Sequence, residues 1–347
     1  MGAKPVRVEH ESAPPEWDDY VRHHPRGTPF HLRAWCDAVT EAYGHKAAHL
    51  TARRDGRLVG LLPLLKVKSL LVGRVLVSVP YATYGGILAD ADEVTRALFD
   101  NAAALANDVG AKYLELRHRE PNRLDLPTID RYDTFRKALP ETKEEILPGL
   151  PRKTRAAARK GIKTLGEDAA AIGPDWLDTV YDLYTVSLRR LGSPNYSRRF
   201  FHALRRNYGD DCVCLVVRDA GEPVAGVVSF VFRDEIVPYF SGCLEEAMPK
   251  QANNVMYLRL MEWAVQRGLR TFDFNRTRRD NHGPYDFKRH HGFEPTPLHY
   301  QIYLSGTEEL PNLTPSNRKY ALAGRVWQKL PLWLTRPAGA RITKWVP

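Results

Sequence analysis

Cysteine is scarce in this sequence, with four in 347 residues, at positions 36, 212, 214 and 243. No CxxC pair occurs, and no His/Cys cluster has the spacing of zinc ligands, so no metal site is expected. Cys212 and Cys214 flank Val213 in an apolar run, a spacing that puts both on one side of a strand as small buried residues. Long apolar runs are also missing. The strongest, Leu58 to Leu65, is followed by Lys66 and Lys68, and crossing a bilayer takes about 20 residues. The first fifteen residues hold acids and no apolar run, so no secretory signal is expected, and a reducing cytoplasm is the expected home. Neither GxGxxG nor GxxxxGK[ST] occurs, which argues against a dinucleotide or nucleoside-triphosphate enzyme. Acid is the scarcer charge: 41 Asp and Glu stand against 51 Lys and Arg, a net +10. That surplus suits an anionic partner, whether nucleic acid, phosphorylated substrate or anionic lipid.

What is present is an ordered duplication. Leu50-Thr-Ala-Arg-Arg-Asp-Gly-Arg-Leu-Val-Gly60 reads as strand, tight turn, strand, and so does Leu215-Val-Val-Arg-Asp-Ala-Gly-Glu-Pro-Val-Ala-Gly226. Each hairpin leads to a strand ending near glycine, at Tyr84-Gly85-Gly86 and at Phe240-Ser241-Gly242. Helical spacing follows in both, over Asp92 to Val109 and Val255 to Gln266, and each stops at a glycine, Gly110 or Gly268. A short strand comes next, Tyr113 to Leu116 or Thr271 to Phe274. Helical segments precede the hairpins, at Ala34 to Tyr43 and Trp176 to Leu191. The succession predicts two mixed α/β units of like fold, with residues 31–145 and 176–304 superposing. Leu147-Pro-Gly-Leu-Pro-Arg152 suits the boundary. The expected domains are 1–150, 151–305 with the active site, and a basic, Trp-rich tail over 306–347.

Two clusters carry chemistry. Pro151 to Lys163 is helix-prone, with Arg152, Arg155 and Arg159 on one face beside Lys153, a pattern suited to phosphate. The denser one runs from Phe272 to Pro295 and begins at a strand end, where functional loops of α/β folds sit. It holds Asp273, Arg276, Arg278, Tyr285, Lys288, His290 and His291. Lys288 suits an oxyanion formed as an acyl group passes from an ester or thioester to an amine. Asp273 suits orienting that amine or taking its proton, Tyr285 suits holding the leaving group, and Arg276 and Arg278 suit phosphates. No Ser-His-Asp or Cys-His arrangement is evident, which points to direct transfer. Pro80-Tyr-Ala-Thr-Tyr-Gly-Gly86 reads better as a strand end needing positive φ than as a ligand loop.

These residues resemble the FemAB family, tandem acetyltransferase-like (GNAT-like) enzymes related to peptidoglycan bridge-forming aminoacyltransferases. The resemblance runs from about residue 17 to 304. It is carried by His31-Leu-Arg-Ala-Trp35, Val59-Gly-Leu-Leu-Pro63, Ser78-Val-Pro-Tyr81, Tyr84-Gly-Gly86, Leu150-Pro-Arg-Lys-Thr-Arg155, Phe272-Asp-Phe-Asn-Arg276 and Tyr285-Asp-Phe-Lys-Arg-His-His-Gly-Phe-Glu-Pro295. The last looks like the subgroup found beside exosortase and exopolysaccharide systems. The resemblance implies two tandem GNAT-like units and amide-bond formation on a lipid-linked or nucleotide-linked envelope precursor, with aminoacyl-tRNA as donor. It puts the transfer lysine at Lys288 and the phosphate-binding arginines near Arg152 to Arg155. The chain departs from the family in three ways. Residues 152–165 are too few for the family's coiled-coil arm, Asn275 stands where glycine is usual, and His291 stands where an aromatic is usual.

No bound cofactor is expected, and the donor is one of aminoacyl-tRNA, acyl-carrier protein or acyl-CoA. The turn that would cradle the diphosphate of coenzyme A is replaced by Lys250-Gln-Ala-Asn-Asn254, which counts against CoA but not against a carrier protein. The competing reading is a catalytically idle adaptor at the membrane surface or on nucleic acid. In the tail, Trp327, Leu330, Trp333 and Leu334 lie near one helical face among Lys329, Arg336, Arg341 and Lys344, and are expected to pack on the body or to touch anionic membrane at its cytoplasmic face.

Overall fold

The computed structural model describes residues 5–69, 73–305 and 318–346. The chain divides into two compact units, neither contiguous in sequence. The first comprises residues 1–130, 298–313 and 342–347, and the second 131–297 and 314–341. Residues 131–150, expected at the end of the first domain, thus belong to the second unit, and 298–305, expected in the second, belong to the first. Residues 306–317 of the expected tail lie outside the described residues.

In the first unit, strands β1 (Arg7–His10), β3 (Leu50–Arg54), β4 (Arg57–Leu62) and β7 (Leu88–Ala89) form one sheet. A second sheet has the order β2 (Lys46–Ala47), β5 (Leu65–Ser69), β6 (Gly73–Val77), β8 (Tyr113–His118), β18 (His299–Leu304) and β9 (Thr128–Ile129). Pro63 falls between β4 and β5, where its missing N–H ends the ladder and the chain passes from one sheet to the next. The Asp55-Gly56 turn forms as its sequence predicts. Arg54 pairs with Arg57, and both turn residues have positive φ. Helices α1 (Trp17–His23) and α2 (Arg33–Tyr43) precede the hairpin, and α3 (Asp92–Asp108) packs Val94, Leu98 and Ala102 into the core. The expected strand into Tyr84 stops early, at Val77. Gly86 is needed for close approach, because a Cβ there would lie 2.2 Å from the His118 ring.

The second unit has one sheet, in the order β11 (Ala170–Ile172), β12 (Cys212–Asp219), β13 (Glu222–Phe232), β14 (Glu235–Cys243), β15 (Thr271–Asp273), β10 (Tyr132–Ala138) and β16 (Thr277–Arg278), with β17 (Pro295–Pro297) also on β10. The Ala220-Gly221 turn again has two positive φ values. Helices α4 (Ile146–Gly149) and α5 (Arg152–Leu165) pack with α8 (Ala252–Gln266), while α6 (Leu177–Arg190), followed by α7 (Arg198–Tyr208), lies on β13 and β14. Gly226 and Gly242 form a cross-strand pair beneath α6.

Both units show one succession: an antiparallel pair, a parallel pair, then an antiparallel pair. In the first this is β5–β6, β6–β8 and β8–β18, and in the second β13–β14, β14–β15 and β15–β10. The last strand of each series comes from the opposite half of the sequence, which is why no contiguous boundary exists.

The described part of the tail forms α10 (Arg318–Lys329) and α11 (Leu332–Thr343). In the second unit Arg189 donates to the Leu330 carbonyl at 3.1 Å, Gln328 to the Arg190 carbonyl at 3.0 Å, and Arg336 to Thr185 Oγ1 at 3.1 Å. Trp327 and Leu330 are half-buried, whereas Trp333 is 74% exposed and Leu322 63%. No helix among the described residues is long and apolar enough to cross a membrane.

Candidate active site

Strand β14 meets its two neighbours differently. Against β13 it pairs along its length, with a bulge that leaves Tyr239 as the extra residue. Against the parallel β15 it pairs only at Glu235–Thr271 and Ile236–Phe272. Beyond Ile236 the strands part, because β15 ends at Asp273 while β14 continues to Cys243. Two parting strands leave backbone donors and acceptors without a ladder, an edge on which an extended ligand can hydrogen-bond.

Asn275 stands in that opening. Its φ is +61°, a region that disfavours most side chains and tolerates Asn after Gly. Its Nδ2 donates to the Pro238 carbonyl at 2.7 Å, and its backbone N–H to Asp273 Oδ1 at 2.7 Å. Its Oδ1 is buried with no hydrogen-bond partner among the described residues. An orphaned buried acceptor costs about 1–3 kcal/mol.

Lys288 reaches the same place from α9 (His282–His290), inside the donor-rich stretch that follows the end of β15. Its Nζ donates to three successive carbonyls, Phe274 at 2.6 Å, Asn275 at 3.0 Å and Arg276 at 3.2 Å. It also lies 5.2 Å from the Phe135 ring centroid. Burial pulls its pKa down to about 7, while the nearby Asp273 charge opposes the fall. A lysine in this state gains or loses its proton near neutrality, as groups at reacting centres often do.

Asp273 is fully buried. Its Oδ2 is 3.3 Å from Arg136 Nε, and Arg136 Nη2 also holds Glu235 Oε2 at 2.5 Å. Burial, then the neighbouring Asp273 charge, push the Glu235 pKa up to about 7 against the pull of Arg136. Asp273 is the residue expected to orient the amine or take its proton. With no exposed surface, it positions Asn275 and Arg136 and acts on Lys288 through its field. Tyr285 packs edge-on against Phe135 at 5.0 Å and donates to Asp133 Oδ2 at 2.6 Å, while Arg279 holds the other Asp133 oxygen at 2.8 Å. Burial and Asp133 raise the Tyr285 pKa to about 12, so its hydroxyl keeps its proton at neutral pH.

Among the expected phosphate residues, Arg152 and Lys153 are exposed at the start of α5. The next residue, Thr154, donates its hydroxyl to the His290 carbonyl, which sets this basic turn against the end of α9. Arg155 turns back to the Pro148 carbonyl at 2.6 Å. Arg276 lies over the Tyr132 ring at 4.8 Å, and Arg278 is held by Asp280 at 2.9 Å. Sequence reading missed Arg136, Phe135, Asp133 and Glu235. The first three sit on β10, more than 130 residues before Asp273 and Lys288, and no local pattern marks them. Asn275 was singled out only as a departure from glycine.

The α8 N-terminus, where a diphosphate would be cradled, has Gln251 in a left-handed conformation. Gly161 of α5 lies against it, so close that a Cβ would be 3.2 Å from the Gln251 carbonyl and 2.5 Å from Val255. All four cysteines are buried, and burial pushes the Cys243 thiol up to about 11, which leaves it protonated and a poor nucleophile.

Residues 152–289 match a family model described as an acetyltransferase (GNAT) domain. The fold is that of the GNAT acyltransferases. FemX resembles the chain with a TM-score of 0.66 at 16% identity, over 86% of this chain and 97% of that one. The C-terminal domain of a putative lysylphosphatidylglycerol synthetase from Agrobacterium fabrum gives 0.56 at 11% identity, over 90% and 93%. A tandem GNAT protein from the clavulanic acid biosynthesis pathway gives 0.50 at 12% identity, over 88% and 100%. No curated protein sequence matches the chain.

Proposed function

We propose that the protein is an acyl- or aminoacyltransferase of FemAB type, which forms an amide bond on a phosphorylated cell-envelope precursor by direct transfer. The observation that carries this reading is the buried Lys288 ammonium on the successive carbonyls of Phe274, Asn275 and Arg276, at the opening between β14 and β15. In the reaction the amine nitrogen attacks the donor carbonyl, the C–N bond forms, the ester or thioester bond breaks, and the proton the amine loses passes to the departing oxygen or sulfur. Lys288 releases one carbonyl to hold the developing oxyanion, and Asn275 Oδ1 accepts from the amine. Tyr285, its proton held by Asp133, accepts through its hydroxyl oxygen from the protonated leaving group. Arg152 and Lys153, with their charges in solvent, meet phosphate.

A donor bearing an aminoacyl ester or a carrier-protein thioester fits better than acyl-CoA, because α5 packs on the turn where the CoA diphosphate would sit. The similar structure named for lysylphosphatidylglycerol synthesis supports an aminoacyl group and a phosphorylated lipid as the reactants. The test is mass spectrometry of RNA and small molecules that co-purify with the protein, followed by assay of the recovered donor with phosphorylated amines. An amide product made by the wild type supports the reading. Wild-type protein that makes no amide from any recovered donor leaves the idle adaptor as the reading.

Contact with an anionic membrane belongs to the same proposal. Seven cations and no acid lie in residues 318–347, and Trp333 and Leu322 are exposed. Vesicles containing phosphatidylglycerol are expected to float the full chain, and flotation should fall several-fold when Trp333 and Leu322 are both changed to Glu. Equal flotation of the two forms removes this contact.

A further inference from the structure

A cavity of about 660 Å³ lies in the first unit, far in sequence from the cluster around Lys288. Its walls include Lys46, Lys66, Lys68, Arg74 and Lys344, together with His45 and Trp345, and no acidic residue. The cations are aligned by the sheet. Lys46 is the direct cross-strand partner of Lys66, and Lys68 is that of Arg74. Like charges placed directly opposite each other destabilise a sheet, so this arrangement costs the free protein stability. Among the described residues the side chains of Lys46, Lys66 and Lys68 have no hydrogen-bond or ion-pair partner, and Arg74 spends one nitrogen on the Val109 carbonyl at 2.9 Å. One wall is aromatic. Lys344 Nζ lies 5.3 Å from the Trp345 ring, and Tyr81 ties this segment down by donating to the Lys344 carbonyl at 3.2 Å. His45 is bonded to Tyr81 at 2.7 Å and stays neutral, since burial and then the Lys344 charge pull its pKa down to about 4.

We propose that this cavity binds a phosphorylated ligand of headgroup size. Its phosphate or diphosphate lies on the Lys46–Lys66 and Lys68–Arg74 pairs, and its apolar or planar part lies against Trp345. The volume is that of an ordinary small-molecule pocket. Ammonium and guanidinium groups facing one another are neutralised together by an anion that several of them share. The site is separate from the proposed transfer chemistry and stands or falls without it.

Calorimetric titration of the full chain with inorganic pyrophosphate tests the proposal. The wild type is expected to bind, and the Lys66→Gln/Lys68→Gln variant to bind about tenfold or more weakly, since charge-assisted contacts are lost. The variant's thermal midpoint should stay level or rise, because a repulsion has been removed, whereas residues with a structural role would lower it. Vesicles bearing phosphatidylglycerol identify the source of the phosphate. If pyrophosphate displaces the protein from them, the ligand is a lipid headgroup. If pyrophosphate binds without displacing it, the ligand is free in solution. Wild-type protein that does not bind pyrophosphate, or a variant that binds it equally well, overturns the proposal.

Discussion

Replacing Lys288 by alanine is expected to lower turnover about 10²–10³-fold, the usual cost of one oxyanion donor. The group is an ammonium taken out of water beside the opening in the sheet, where its charge counts for more than at the surface. The pH dependence separates its roles. If the charged form does the work, wild-type turnover falls as pH rises through about 7, where Lys288 loses its proton. If the neutral amine acted as a base, turnover would rise instead, and a rising profile would sink the oxyanion role. Stability carries an independent signature. Between about pH 7 and the ordinary lysine value of 10.5 the unfolded chain holds this proton and the folded chain does not, so stability climbs with pH across that window. Lys288→Met should remove that part of the climb, read by denaturant titration at several pH values. It also frees the carbonyls of Phe274, Asn275 and Arg276, so some loss of stability at every pH is expected.

Gly242→Ala should destabilise the protein by about 3 kcal/mol or more, at the upper end of what overpacking costs. A Cβ at this position would lie 2.3 Å from the Leu183 carbonyl carbon and oxygen and 2.4 Å from the Tyr184 nitrogen. These are backbone atoms of α6, so no side-chain rotation relieves the clash. The helix would have to lift from β13 and β14, or β14 would have to bend at the strand that forms one side of the opening. Gly283→Ala is the control, since nothing lies within 4 Å of its added Cβ and its φ is not positive. Urea titrations of the two variants check the contrast. A Gly242→Ala midpoint equal to that of Gly283→Ala would show that the packing between α6 and the sheet is looser than its geometry implies.

Local signals in the sequence read correctly where the cause is local. Asp55-Gly56 and Ala220-Gly221 make two-residue turns because glycine and its neighbour accept positive φ, and the helices that end at Gly110 and Gly268 follow from apolar spacing and a glycine cap. The concentration of Asp273, Tyr285 and Lys288 in one stretch was also legible, and all three come together around the end of β15. Their states were not legible, because they depend on partners remote in the chain. Strand pairing sets Asp273, buried, against Arg136 of β10. Lys288 lies on α9, and only packing brings its ammonium under three carbonyls.

By itself, then, the sequence determined the repeated order of hairpin, helix and strand, the scarcity of acid, and the residues available for chemistry, since each follows from composition or from neighbours a few positions apart. Tertiary structure decided the exchange of β10 and β18 between the two units, the parting of β14 from β15 and the isolation of the Asn275 oxygen. It also decided the facing of Lys46 with Lys66 and of Lys68 with Arg74. Each of these depends on which strands pair and in which register. Pairing is settled by burial across the whole sheet, an energy that no short stretch of sequence contains.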